Sequence, residues 1–181
     1  MQLLEVKSWI LCVGALSTGL ANGACSAPAH IEKCVMEYHQ KADAALNRQY
    51  QGVMSGLSDD MKSRLKSAQR AWIEYRQRTC GSLNGLDGAS CESSLSDQRT
   101  RELYFIEMRW RDNTGLGVVD FISKEFLEGD EGVLTKLLSR QPQIPSWSNY
   151  ASQHCSIMSD LVGGDILSCK VRLIFINWNG F

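Results

Sequence analysis

The sequence has little proline, almost no net charge and no long hydrophobic stretch. Only 3 of its 181 residues are proline, and 19 basic against 20 acidic residues leave a net charge of −1. A nucleic-acid-binding surface needs a basic excess, so this balance argues against such a partner. The apolar run from Trp9 to Leu20 is shorter than the roughly 20 residues that span a bilayer, and no later segment is long enough either. We therefore expect no stable membrane insertion.

The common signatures of catalysis and of metal binding are also absent. The chain contains no GxSxG, no HExxH, no phosphate loop and no CxxC. Its three histidines, His30, His39 and His154, do not stand at zinc-finger spacing from the cysteines. His154 precedes Cys155, but a disulfide-bonded cysteine cannot attack a substrate, and neighbours on a helix point in different directions. We expect no catalytic residue, no metal and no cofactor. A pair of carboxylates that hydrolyses glycosidic bonds remains an alternative, because the spacing that such a pair needs is spatial.

The first 23 residues have the layout of a secretory signal peptide. Lys7 precedes the apolar run, and the sequence ANG fits the small-x-small rule for cleavage before Ala24. Lipid attachment would need an aliphatic residue three places before Cys25, where Asn22 stands, so a lipid tether is the minor alternative. We expect a soluble protein that is periplasmic or secreted and begins at Ala24.

The chain has seven cysteines, of which Cys12 lies in the predicted signal peptide. Six cysteines in an oxidising compartment predict three disulfides, although the sequence alone does not choose the pairing. Closeness in sequence favours three local pairs. These are Cys25–Cys34, Cys80–Cys91 and Cys155–Cys169.

One pattern occurs twice, as WIEYRQRTC (72–80) and WSNYASQHC (147–155): Trp, then Tyr three places on, then Cys eight places on. On a helix, Trp and Tyr at this spacing share a face. The favoured interpretation is structural, with the aromatic rings filling the core and a disulfide holding the end of each helix. A ligand cage built from Trp72 and Tyr75 is the alternative.

Apolar residues at intervals of three and four predict an all-α chain. A first helix is predicted from Ile31 to Leu57, a second from Met61 to Cys80 after the N-cap Ser58, and a third from Leu95 to Trp110. The segment GSLNGLDGAS (81–90) is predicted to be a loop. Three such helices bury their apolar stripes in a small, disulfide-pinned antiparallel bundle.

The sequence NTGLG then breaks the helical pattern and predicts a domain boundary. Residues 24–113 form the first predicted domain, and 114–181 form a smaller helical unit that partly repeats it. Short helices are predicted around Phe121–Leu127 and Val133–Leu138. By analogy with the first copy of the repeat, we expect a last helix over Ile166 to Trp178.

Arg99 lies on the apolar stripe of the third predicted helix. A buried guanidinium needs a carboxylate or amide partner. Asp43, Asn47 or Gln69 could supply it. In the equally weighted alternative, Arg99 lies at the edge of the stripe with its charged head in water.

Three segments resemble the N-terminal domain of LprI-type lysozyme inhibitors: ADAALNRQYQGVMSGL (42–57), LKSAQRAWIEYRQRTC (65–80) and LSDQRTREL (95–103). Together with the flanking cysteines, the resemblance covers about residues 25–110. It implies a helical, disulfide-pinned domain that bacteria export and that inhibits lysozyme. Cys25 does not fit the lipid-attachment motif of the lipoprotein that names the family, because Asn22 stands three places before it. The chain after residue 114 matches only as a degenerate second copy.

The family's pattern puts weight on twelve positions of this chain: Asp43, Leu46, Asn47, Tyr50, Gln69, Trp72, Tyr75, Arg76, Cys80, Cys91, Arg99 and Leu103. The resemblance implies that most of them belong to the core or to a polar network inside it. The expected network consists of Asp43, Asn47, Gln69, Arg76 and Arg99.

The resemblance thus implies an exported binding protein that inhibits a lysozyme-like cell-wall hydrolase. Animal-type lysozymes are basic proteins with an acidic cleft, so an inhibitor could offer acidic residues to the rim of the cleft or basic residues to the cleft itself. An acidic run in this chain is therefore a candidate contact. The disulfide-bounded segments Gly81–Ser90 and Ser156–Ser168 are the other candidates, since ordering in advance lowers the entropy lost on binding. An immunity or envelope-stress protein that neutralises another toxin is the alternative, and a cell-wall hydrolase is the less favoured one. The acidic run consists of Glu125, Glu128, Asp130 and Glu131.

Overall fold

The computed structural model describes residues 28–112, 139–162 and 166–178, and all regular structure within these ranges is helical. The predicted all-α class is therefore confirmed. The short helices predicted around 121–127 and 133–138 lie outside the described residues. The described residues form five helices: α1 (Pro28–Gly56), α2 (Asp59–Cys80), α3 (Gly85–Asp112), α4 (Pro145–Val162) and α5 (Ile166–Trp178).

The helices pack mainly as two long pairs. α1 lies along α3, where Gln49 Nε2 donates to Glu107 Oε2 at 2.5 Å. α2 lies along α4, and the guanidinium of Arg64 donates to the carbonyl oxygen of Ser156 at 3.0 Å. The principal partner of α2 is thus a C-terminal helix, so the N-terminal helices do not bury their apolar stripes among themselves alone.

The two copies of the Trp–Tyr–Cys repeat pack against each other between α2 and α4. The ring of Tyr75 stacks on Tyr150 at 5.8 Å and meets the edge of Trp147 at 5.3 Å. Such aromatic pairs contribute about 0.5–1.5 kcal/mol each beyond the area that they bury. Trp72 and Tyr75 are 3% and 5% exposed, so they fill the core rather than line a ligand cage.

Buried side chains of all five helices form one hydrophobic cluster, which extends from Leu46 and Val53 in α1 to Val171 and Ile174 in α5. The core is continuous across the predicted boundary near residue 113. The division into two domains stays a prediction.

α3 begins at Gly85, well before the predicted start at Leu95, so the prediction of a loop over 85–90 was wrong. The glycines of this segment serve a tight turn. Gly85 has a φ of +57°, which glycine adopts without strain. A Cβ on Gly88 would lie 2.9 Å from the carbonyl oxygen of Leu83, so the turn closes directly onto the first turn of the helix.

Two predicted disulfides are confirmed. Cys80–Cys91 joins the end of α2 to the second turn of α3, and Cys155–Cys169 joins α4 to α5. The third predicted pair, Cys25–Cys34, includes Cys25, which lies outside the described residues. Among the helices that the structure describes, none is long and apolar enough to cross a membrane.

Candidate functional site

Arg99 is fully buried where α2, α3 and α4 meet. Its Nε donates to Gln69 Oε1 at 3.0 Å. Its Nη1 lies 3.1 Å from Glu102 Oε2, 3.2 Å from the Tyr150 hydroxyl and 2.9 Å from His154 Nδ1. We call these five side chains the Arg99 cluster. This burial rules out the alternative in which the charged head of Arg99 lies in water. Of the three candidate partners named from the sequence, the guanidinium binds Gln69.

The electrostatics of the Arg99 cluster follow from its burial. Burial and then the charge of Arg99 hold the pKa of His154 well below its ordinary value, so the imidazole is neutral. Its Nδ1 therefore accepts a hydrogen bond from Arg99, which places the ring proton on Nε2. Burial raises the pKa of Tyr150 well above its ordinary value, and the neutral hydroxyl donates to the Glu102 carboxylate. Arg99, Glu102, Tyr150 and His154 are closed to solvent, whereas Gln69 is half-buried. The cluster connects three helices, which makes it structural.

A second polar group connects α1, α2 and α3. Arg76 Nη1 lies 2.8 Å from Asp43 Oδ1 and 3.0 Å from Ser96 Oγ, and Ser96 Oγ donates to Asp43 Oδ1 at 2.8 Å. The Arg76 guanidinium also lies over the ring of Trp72, 5.1 Å from its centroid. Asn47, which was expected in the internal network, is exposed on α1 instead. The preceding residue, Leu46, is buried in the core, and adjacent residues on a helix point in different directions.

The α1–α3 groove is an open cavity of about 370 Å³ near one end of this helix pair. Most of its lining comes from the segment that Cys80 and Cys91 enclose, which the sequence singled out as a candidate contact. The lining residues are Glu32, Met36, His39, Leu83, Gly85, Leu86, Gly88, Ala89 and Glu92.

The groove combines exposed apolar walls with carboxylates. Met36 is 42% exposed and Leu83 is 44% exposed, which is high for side chains of their size. Glu32 is exposed, and the side chain of Glu92 is 34% exposed. His39 Nε2 lies 3.7 Å from Glu92 Oε2, beyond hydrogen-bond distance, so this carboxylate keeps its capacity to accept. In the described ranges, no group of three or more His, Cys, Asp or Glu side chains could hold a metal ion.

The other predicted contacts are placed differently. In the segment Ser156–Ser168, residues 156–162 belong to α4 and residues 166–168 to α5, so most of it is helix rather than loop. The acidic run lies outside the described residues. It comprises Glu125, Glu128, Asp130 and Glu131.

Sequence reasoning missed three members of the Arg99 cluster. Glu102 stands three places after Arg99, a spacing that brings side chains together on a helix and could have identified it. Tyr150 and His154 lie 51 and 55 residues away from Arg99. Only the packing of α4 against the N-terminal helices brings them there.

Comparison with known proteins agrees with the resemblance noted from the sequence. The family model described as Lysozyme inhibitor LprI matches residues 21–103. The match therefore includes α1, α2, most of α3 and every residue that lines the groove. Neither a curated protein nor a solved structure matches the chain.

Proposed function

We propose, from the match of residues 21–103 to the lysozyme-inhibitor family, that this protein is an exported binding protein that inhibits a lysozyme-like cell-wall hydrolase. The family match is the observation that carries the proposal. Two disulfides between described helices fit the oxidising compartment in which such an inhibitor would act.

The α1–α3 groove is the contact surface that we propose. Its wall from Leu83 to Ala89 is held by the Cys80–Cys91 disulfide at the second turn of α3 and by the tight turn at Gly85. A wall that is ordered before binding loses little conformational entropy when the complex forms. Exposed Met36 supplies apolar surface that a partner would remove from water.

Charge supports the same location. Glu32 and Glu92 give the groove a negative character, and animal-type lysozymes are basic. Opposite charges on two surfaces accelerate their encounter and disfavour wrong orientations.

The acidic run stays a second proposed contact. Reversing the charges of Glu128, Asp130 and Glu131 would weaken inhibition if this run touches the hydrolase. Unchanged inhibition would leave the groove as the proposed surface.

The experiment is the initial rate of cell-wall lysis by a c-type lysozyme, with and without purified, oxidised protein that begins at Ala24. We expect a dose-dependent loss of lysis at a several-fold molar excess. The same preparation without lysozyme serves as the control, and lysis in that control would indicate a hydrolase instead. An unchanged rate with correctly paired disulfides would contradict inhibition of c-type lysozymes and favour another toxin as the partner.

A further inference from the structure

We infer that the α1–α3 groove receives one long cationic side chain, an arginine or a lysine, from the hydrolase. This inference rests on the proposed function and names the chemistry by which the groove would recognise its partner. It follows from the size of the groove, from its apolar walls and from the carboxylates in its lining.

The size of the groove suits a side chain. Its volume of about 370 Å³ is at the lower end of the range of roughly 300–1,000 Å³ that small-molecule pockets occupy. A helix or strand of the partner would not enter a space of this size. A single projecting side chain would.

The walls suit the stem of an arginine or lysine. These residues bury their methylene groups along apolar surface while the charged head stays near polar groups. The groove offers such a surface in Met36, Leu83, Leu86 and Ala89. Met36 and Leu83 are the more exposed of the four, so their surface is open to the stem of an incoming side chain.

The carboxylates of the lining suit the charged head. Glu32 joins none of the ion pairs that the structure gives for its described residues, so its carboxylate is available. Among the described residues, the nearest potential cation to Glu92 is His39, whose Nε2 lies 3.7 Å from one carboxylate oxygen. The adjacent Asp43 is already bound by Arg76 and Ser96, so its charge is largely engaged.

An anionic ligand would meet these two carboxylates and be repelled. A neutral apolar ligand would leave the carboxylates without a partner and would strip water from them, at a cost in binding free energy. An amphipathic cation satisfies both kinds of surface.

The first test compares two double variants in the lysis assay. Glu32→Gln/Glu92→Gln removes both groove charges. Asp60→Asn/Glu74→Gln removes two charges at exposed positions of α2 outside the groove. We expect the concentration for half-maximal inhibition to rise at least about tenfold in the groove variant and to stay within about twofold in the control. Equal effects of the two variants would overturn the inference.

The second test uses small probes and does not depend on inhibition. N-acetyl-arginine amide and its uncharged isostere N-acetyl-citrulline amide are titrated into the full protein while amide resonances are followed by NMR. We expect the arginine probe to shift the amides of Gly85, Gly88 and Ala89, and the citrulline probe to leave them unchanged. The shifts should disappear in Glu32→Gln/Glu92→Gln. Equal binding of both probes would show an apolar pocket and overturn the inference.

The two tests separate the two ideas. If the protein inhibits lysozyme but the groove variant behaves like its control, the cationic side chain is wrong and inhibition stands. If the protein fails to inhibit, the proposed function fails, and the probes still decide which ligand chemistry the groove accepts.

Discussion

Removing one hydroxyl from the Arg99 cluster, by Tyr150→Phe, should destabilise the protein strongly. The hydroxyl donates to the buried Glu102 carboxylate, and it lies 3.2 Å from Arg99 Nη1. A hydrogen bond to a charged group contributes about 1.5–3 kcal/mol, and Arg99 and Glu102 would each lose one such bond while keeping their ion pair. The ring remains, so its packing on Tyr75 and Trp147 is kept and no cavity forms. We therefore expect a loss of about 3 kcal/mol in the free energy of unfolding, at the lower end of the sum for two such bonds.

Thermal and urea unfolding, followed by circular dichroism, would measure this loss. For a chain of this length, about 3 kcal/mol corresponds to a fall in Tm of about 6–12 °C. The control is Tyr104→Phe, the same chemical change at a side chain that is 50% exposed, where we expect a change of at most about 0.5 kcal/mol. If Tyr150→Phe changed stability no more than Tyr104→Phe, the account of a hydrogen-bonded ion pair inside the helix interface would be refuted.

Two further predictions concern pH and glycine. Because His154 is held neutral in the fold while an unfolded imidazole gains a proton below about pH 6.5, stability should fall as the pH drops below that value, by up to about 1.4 kcal/mol per pH unit. His154→Asn, which keeps an acceptor but does not titrate, should show a flatter dependence in urea unfolding between pH 7 and pH 5. Gly88→Ala should lower the free energy of unfolding by about 1–3 kcal/mol, because its Cβ would collide with the backbone of Leu83. The matched change is Gly52→Ala in the interior of α1, where the added Cβ would lie 3.7 Å from the flexible end of Glu107, at ordinary contact distance. This variant should raise the free energy of unfolding by about 0.5–1 kcal/mol. If Gly52→Ala destabilised the protein more than Gly88→Ala, the described turn would be contradicted.

The interiors of the helices could be predicted from the sequence because apolar spacing is a local property. The N-cap Ser58 could also be predicted, because capping depends on the type of residue that directly precedes a helix. Its side chain accepts a hydrogen bond from the amide of Met61. The start of α3 was missed because Gly85 and Gly88 were interpreted as loop residues. In the structure, Gly85 turns the chain, and Gly88 allows the backbone of Leu83 to pack closely against the first turn of the helix.

The pairing of helices and the composition of the sites depended on contacts that are distant in sequence. Of the expected network, Asp43 with Arg76 and Gln69 with Arg99 are hydrogen-bonded pairs in the structure, whereas Asn47 is exposed. The repeat correctly suggested that its aromatic residues belong to the core. The repeat did not predict that its two copies would pack on each other, because that contact depends on the packing of α4 against α2. The groove likewise exists only once α1 lies along α3.

We propose that the segment enclosed by Cys80 and Cys91, together with α1, binds the hydrolase. The most direct measurement compares inhibition by Cys80→Ser/Cys91→Ser with inhibition by Cys155→Ser/Cys169→Ser, at a temperature where both variants stay folded. The two disulfides close loops of similar length, with separations of 11 and 14 residues, so each loss should cost about 3 kcal/mol of stability. Only the first loss loosens the wall of the groove. We predict that it weakens inhibition by about tenfold or more while the second leaves inhibition within about twofold of the parent. Equal inhibition by the two variants, or a greater loss in the second, would contradict the account.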